Sequence, residues 1–285
     1  MKTPLPTSLE DEFGDIFRKA QRGQKIPDEE ITRRFGLTKE QIRDIYGYRL
    51  IPDMGTVEAM AVFLGLKSDA LVASAAKIYR PDSPPVEHWG CLAMVPSRYE
   101  DMTVNSYIVW DKDTREAVLF DTGTDFEAIR EILEAFQLNL RFVALTHTHA
   151  DHIAVLDDVL EHTSPELITS HREPIASARK VREGDTLKLG SLSIQVRDTS
   201  GHSVGGLTYL IRGFTGSPDV AVVGDALFAG SAGGAMVDYQ SLITKIRTRI
   251  LRLPERTLIL SGHGPLTTVG QERVFNPFSS AEDST

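Results

Sequence analysis

Four side chains of the kind that bind metal ions fall within six positions of the chain, directly after an apolar run. Residues 145–152 read Leu-Thr-His-Thr-His-Ala-Asp-His, which supplies His147, His149, Asp151 and His152. Alternate residues of an extended chain share a face, so His147 and His149 can point to one side while the following turn directs the others elsewhere. Imidazoles and a carboxylate without thiolate suit zinc, iron or manganese. The segment therefore predicts a strand that ends in a metal-binding loop.

Three later segments each place one histidine or aspartate beside a glycine at the end of a strand-like run. They contain His202 in Ser-Gly-His-Ser, Asp225 in Val-Gly-Asp-Ala and His263 in Ser-Gly-His-Gly. Upstream, the run 119–123 ends with Asp121, which we expect to orient the metal loop rather than to bind metal. Loops at strand ends are where α/β proteins build sites. Five of the eight histidines lie in these segments, so a chance surface cluster is a poor explanation.

The element pattern changes near residue 80. Before it, apolar residues recur at helical spacing, Thr38 with Gln41 predicts a capping box, and Ser68 is expected to cap a last helix. A proline-rich stretch, typical of a linker, follows Arg80. Strand-like and helical segments then alternate, which favours an α/β sandwich. The predicted strands are 92–99, 105–110, 117–120, 142–145, 167–169, 192–196, 207–211, 220–223 and 258–260, and the later helices are 126–136, 153–160 and 241–251.

Composition and net charge argue against several classes of protein. The chain is 41% hydrophobic and 25% charged, with a formal net charge of −9, which argues against binding to nucleic acid or anionic membranes. No apolar run approaches the roughly 18 residues of a membrane span, and the first residues do not read as a secretory signal. The single cysteine, Cys91, excludes an internal disulfide. We expect a cytoplasmic protein and a small-molecule substrate, and the oligomeric state stays open.

Taken together, these segments resemble the metallo-β-lactamase superfamily, and within it the glyoxalase II-like (hydroxyacylglutathione hydrolase) branch, over about residues 91–278. The resemblance implies an αββα sandwich, here preceded by a small all-helical domain. We divide the chain into a helical, helix-turn-helix-like domain 1–80, a linker 81–90 and a catalytic domain 91–285. The resemblance also implies a ligand set: His147, His149 and His202 for one metal ion, Asp151, His152 and His263 for the other, and Asp225 between both.

The cofactor implied by the resemblance is a pair of divalent metal ions, with zinc favoured and iron or manganese as alternatives. Two such ions about 3.5–4 Å apart share a water and lower its pKa, which yields a hydroxide nucleophile at neutral pH. The expected reaction is hydrolysis of a thioester, with Asp151 and Asp225 as the catalytic carboxylates.

Two departures from these relatives affect the substrate pocket. A Gly-Arg-x-Asp stretch is replaced by Gly-Gly-Ala-Met-Val-Asp at 233–238, and the glycine pair after the Asp-His of the first motif is replaced by Ile153-Ala154. Tyr239 and the loop 231–234 are candidates for lining the cleft. Of the other histidines, we expect His171 to be structural or exposed, and His88 and His162 to face solvent.

Two alternative functions remain open on the sequence. A persulfide-dioxygenase-like enzyme with one iron carries a similar His-x-His-Ala-Asp-His run. Residues 28–71 also resemble a repressor-type helix-turn-helix, which would make the chain a regulator with a metallo-hydrolase-fold sensor domain. Its second helix, 38–46, balances acids and bases, and residues 1–80 carry 13 bases and 12 acids, a net of +1. Without a basic surface, a nucleic-acid partner is disfavoured.

Overall fold

A computed structural model of the protein describes residues 6–82 and 90–279. Most of the predicted linker, together with His88, lies outside these residues. The division into domains 1–80 and 91–285 therefore stays a prediction.

The N-terminal part of the described chain is helical, as expected. The predicted capping box is confirmed, because the Thr38 hydroxyl accepts a hydrogen bond from Gln41 N and the Gln41 side chain accepts one from Thr38 N. The prediction for Ser68 is wrong: the last helix begins at Ser68 itself, after Lys67, whose backbone N–H donates to Pro277 O. A contact distant in sequence fixes this helix start. The helices are α1 Phe13–Gly23, α2 Asp28–Phe35, α3 Lys39–Tyr46, α4 Met54–Leu64 and α5 Ser68–Ala75.

The first sheet contains six strands in sequential order. Its first three strands are antiparallel, and β4, β5 and β6 run parallel to the third. Helices provide the crossovers from β3 to β4 and from β4 to β5, and the non-helical segment 171–178 provides the one from β5 to β6. The elements are β1 Leu92–Tyr99, β2 Met102–Trp110, β3 Glu116–Phe120, α6 Phe126–Ala135, β4 Asn139–Ala144, α7 Leu156–Thr163, β5 Glu166–Ser170 and β6 Arg179–Val181.

The second sheet also contains six strands, and a two-stranded hairpin lies beside it. The elements are β7 Thr186–Leu189, β8 Leu192–Asp198, β9 Leu207–Arg212, β10 Val220–Gly224, the hairpin strands β11 Leu227–Phe228 and β12 Ser231–Ala232, α8 Tyr239–Lys245, a π-helical turn Ile246–Ile250, β13 Leu258–Ser261, β14 Thr267–Thr268 and α9 Val269–Phe275. The strand order is β14-β13-β10-β9-β8-β7. Only β10 and β13 pair in parallel within this sheet.

Side-chain alternation along the strands divides the core into three layers. Inward-facing residues such as Phe120 and Tyr209, with ring centroids 5.3 Å apart, fill the space between the sheets. The outer face of the first sheet, with Leu119, packs under α6 and α7. The outer face of the second sheet, with Ile259, shares one hydrophobic cluster with α8 and with Phe17 of the N-terminal helices. The predicted αββα sandwich preceded by helices is confirmed.

Strand direction brings the loops of both sheets to a common edge. The parallel strands β3 and β4 end there, as do β10 and β13, and β9 begins there because it is antiparallel to β10. Backbone hydrogen bonds join the two sheets at this edge: Leu207 N donates to Thr146 O at 2.9 Å, and Asn105 N donates to Gly262 O at 2.8 Å. The predicted motif segments therefore meet in space.

We expect Phe17→Ala to lower the free energy of unfolding by about 3–5 kcal/mol, because the ring is fully buried and its removal leaves a cavity. Urea denaturation followed by circular dichroism measures this. The control is Val62→Ala in α4, where the side chain is 73% exposed and the expected change is within about 0.5 kcal/mol. Since the helices share a core with the second sheet, both variants should unfold in a single transition. A separate early transition of the helices would contradict this packing.

Candidate metal centre

Loops at the common edge bring all seven predicted ligand side chains into one cluster. Six of them form two groups, and in each group the candidate ligand atoms lie within 4.8 Å of one another. The groups are His147, His149 and His202, and Asp151, His152 and His263.

In the first group, three imidazole nitrogens face one point. Nδ1 of His149 lies 3.0 Å from Nε2 of His147 and 3.0 Å from Nε2 of His202. A tetrahedral zinc ion with bonds of about 2.0–2.1 Å would hold its nitrogen ligands about 3.3 Å apart. The opposite ring nitrogen of His202 donates to Gly234 O at 2.7 Å, which leaves Nε2 free to act as a ligand. The group matches the spacing that one divalent ion needs.

The second group contains a carboxylate and two histidines. Oδ2 of Asp151 lies 3.3 Å from Nε2 of His263 and 3.5 Å from Nε2 of His152. Nδ1 of His263 donates to Thr103 O at 2.7 Å, so its Nε2 is directed towards Asp151. This mixed oxygen and nitrogen set can also hold a divalent ion.

Asp225 lies between the two groups. Its Oδ2 is 3.5 Å from Nε2 of His202 in the first group and 3.3 Å from Nε2 of His263 in the second. Its Oδ1 is 3.2 Å from Nε2 of His152. The carboxylate thus reaches members of both groups, which is the position that a bridging ligand would occupy.

Two buried atoms at this junction, Nε2 of His152 and Oδ1 of Asp225, have no hydrogen-bond partner besides each other among residues 6–82 and 90–279. Buried polar atoms are rarely left unpaired in proteins, and such atoms in a set of metal-type donors fit coordination to a cation. The residues present therefore fit the pair of divalent ions that the sequence implied.

Glycines make room for these contacts. A Cβ at position 262 would lie 2.1 Å from Oδ1 of Asp225 and 2.7 Å from Cε1 of His152. A Cβ at position 233 would lie 1.8 Å from the Asp225 carbonyl oxygen. The glycines at positions 262 and 233 are thus needed for steric reasons, since a side chain at either position would collide with Asp225.

The Asp121 carboxylate orients the metal loop through hydrogen bonds, as expected. Its carboxylate accepts hydrogen bonds from Thr146 N at 2.7 Å, from the Thr146 hydroxyl at 2.7 Å and from His152 Nδ1 at 2.8 Å. The last of these directs Nε2 of His152 towards Asp225. Asp121 has a positive φ of 52°, a conformation uncommon outside glycine, which places its side chain under the loop.

The electrostatics of the cluster follow from burial and close carboxylates. Burial lowers the pKa of His147 well below its usual range, so this ring is neutral and able to bind a cation. Burial also lowers the pKa of His152 and His263, but Asp225 outweighs it and raises the two values to about 10 and about 11. Burial raises the pKa of Asp225, yet His263 and His152 bring it well below the usual range. A metal ion and the histidine protons therefore compete for the same nitrogens.

The N-terminal helical layer contacts the hairpin of β11 and β12 that follows Asp225. Asp11 is buried and accepts hydrogen bonds from the Ser231 hydroxyl and the Lys19 ammonium. Lys19 also donates to Ala232 O at 2.9 Å and lies 5.0 Å from the ring centroid of Phe228. The Phe228 ring in turn meets that of His263 edge to face at 5.5 Å. The layer thus supports one wall of the centre.

Other predicted residues lie away from the centre. His162 and His171 are exposed, as expected, and Cys91 is buried. The prediction that Tyr239 lines the cleft is wrong, because its ring packs against Gly23 at the end of α1 and joins the hydrophobic cluster there. Sequence reasoning missed the carbonyl groups of Gly234 and Thr103, which orient two of the histidines, since backbone atoms carry no residue signature.

Fold and cluster together define a metal-dependent hydrolase scaffold, and residues 99–263 match the metallo-β-lactamase superfamily, more than half of the chain. The chain belongs to the metallo-β-lactamase superfamily. It is 30% identical over 203 residues to hydroxyacylglutathione hydrolase GloC of Haemophilus influenzae, covering 62% of this chain and 93% of that protein.

The fold is shared with solved structures, among them these two. The crystal structure of the BLEG-1 B3 metallo-β-lactamase superposes with a TM-score of 0.59 at 32% identity, covering 66% of this chain and 99% of the other. The structure of TTHA1623 in a di-iron-bound form has a TM-score of 0.53 at 27% identity, covering 65% of this chain and 99% of the other.

None of the described helices is long and apolar enough to cross a membrane.

We expect Asp121→Asn to weaken metal binding about 10- to 100-fold, because the carboxylate that orients His152 is lost. Competition with a chromophoric chelator measures the change. The control is Asp125→Asn, a carboxylate a few residues along that accepts from Ala128 N at the start of α6. Equal metal affinity in the two variants would show that the hydrogen bond to His152 does not orient a ligand.

Proposed function

We propose that the protein hydrolyses a thioester of the hydroxyacylglutathione type at a centre of two divalent metal ions. The convergence of seven side chains on two adjoining ligand groups, with Asp225 between them, carries the proposal. Similarity to hydroxyacylglutathione hydrolase GloC supports the substrate class.

The ligand assignment follows the two groups. We assign His147, His149 and His202 to one ion, Asp151, His152 and His263 to the other, and Asp225 to both. Zinc is the favoured metal because the donors are nitrogen and oxygen atoms in sets of three or four, and iron is the alternative. When bound, such a pair of ions lowers the pKa of a shared water and polarises a carbonyl oxygen.

The chain's own residues set the geometry for this chemistry. Asp225 fixes the separation of the two groups, and its negative charge offsets part of the metal charge. Asp151 belongs to the second group and is 8% exposed. The neighbouring His263 and His152 keep the pKa of Asp151 below its usual value despite burial, so the carboxylate is ionised and can hold a proton-donating water.

We expect Asp225→Ala and His152→Ala to abolish thioester hydrolysis while the far-ultraviolet circular dichroism spectrum stays unchanged, because each removes a central donor. Thiol release from S-lactoylglutathione and a panel of other thioesters, lactones and phosphoesters is followed with a chromogenic thiol reagent or by product analysis. His162→Ala, an exposed histidine on α7, is the control and should retain full activity.

Undiminished turnover in either centre variant would contradict the two-metal assignment. Metal analysis of the purified protein distinguishes the two alternative enzyme activities. One iron per chain, with oxygen uptake on glutathione persulfide, would indicate a dioxygenase and not a hydrolase. Retention of DNA on filters at low salt, with no hydrolysis of any panel member, would favour a regulator.

A further inference from the structure

A buried carboxylate outside the ligand set connects two of the metal loops. Glu173 follows β5 and is only 6% exposed. Its Oε2 accepts a hydrogen bond from the Thr148 hydroxyl, and its Oε1 accepts one from Gly205 N at 3.0 Å. Both carboxylate oxygens are therefore used within the protein interior.

The two partners of Glu173 lie on the two loops that supply the first ligand group. Thr148 stands between His147 and His149, and Gly205 is three residues after His202. A single side chain thus spans the two loops that bring Nε2 of His147 and Nε2 of His202 each to 3.0 Å from Nδ1 of His149. Any change in the length or position of this side chain alters the distance between those loops.

The fit around Glu173 is close. A Cβ at position 205 would lie 2.6 Å from Cγ of Glu173 and 2.7 Å from its Oε1, so the glycine is needed for this approach. The contact is built into the fold rather than made by a long side chain on the surface.

The Glu173 carboxylate forms no ion pair with a side chain of the described residues. Within residues 6–82 and 90–279, no lysine, arginine or histidine lies within ion-pair distance of this carboxylate: Arg172 pairs with Asp198 at 2.8 Å, and the Lys180 ammonium donates to the backbone oxygen of Glu173 instead. A carboxylate that is buried without an ion-pair partner costs free energy even when its oxygens accept hydrogen bonds. A cation held by the adjacent histidines, one hydrogen bond beyond Thr148, would offset that cost.

We propose that Glu173 is a positioning residue for the first metal ion: it holds the His147–His149 and His202 loops at the ligand spacing, and its charge is balanced by that ion. The inference rests on the proposed metal centre. Neither the thioester nor the second ligand group enters it.

The test uses two variants and a matched control. Glu173→Gln keeps the size of the side chain and removes its charge, and Thr148→Val removes the hydroxyl donor without changing any charge. The control is Asp111→Asn, a carboxylate that is 3% exposed, accepts several hydrogen bonds from Thr114 and Ser191, and lies at the other end of the sandwich. Zinc affinity by chelator competition and the zinc-induced rise in Tm are measured for each variant.

We expect both variants to bind one zinc ion with the parent affinity and the other about 10- to 100-fold more weakly. Their zinc-induced rise in Tm should be smaller than that of the parent, whereas Asp111→Asn should lower Tm equally with and without zinc. Parent affinity for both ions in Glu173→Gln and in Thr148→Val would overturn the inference, as would a parent protein that binds no ion at the three histidines. If the parent protein binds two zinc ions but hydrolyses no thioester, the proposed substrate is refuted. The zinc affinities of Glu173→Gln and Thr148→Val would still decide the role of Glu173.

Discussion

The backbone hydrogen bonds across the common edge of the two sheets are the constraint on which the site depends. Leu207 N bonds to Thr146 O, Asn105 N to Gly262 O, and Gly262 N to Gly224 O. The first two bonds join the first sheet to the second, and the third joins the ends of β13 and β10. The loops therefore cannot move apart without breaking buried backbone hydrogen bonds, which is costly. Histidines and aspartates more than a hundred residues apart in the chain are held in contact by this framework.

The N-terminal helices extend this framework. They cover the outer face of the second sheet and share its hydrophobic cluster. Through Asp11 and Lys19 they also contact the hairpin that follows Asp225. We interpret the helices as a supporting layer of the metal centre, because their buried contacts are directed at the loops that carry ligands.

Much of the fold and of the cluster could be predicted from sequence because the relevant signals are local. Strand β1 shows a clear apolar run, and the glycine before His263 marks a position where a Cβ would collide with the ligands Asp225 and His152. Strands β6 and β7 were missed, since they are three and four residues long and their pairing depends on distant partners. Glu173 and the inward packing of Tyr239 were missed for the same reason: both depend on elements far away in the chain.

Anomalous diffraction from crystals of the protein grown with zinc tests the two-metal centre most directly. We predict two peaks about 3.5–4 Å apart, with Asp225 between them. One peak should lie about 2.0–2.2 Å from the nitrogens of His147, His149 and His202, and the other at that distance from Asp151, His152 and His263. A single peak at the cluster, or none, would contradict a centre of two metal ions.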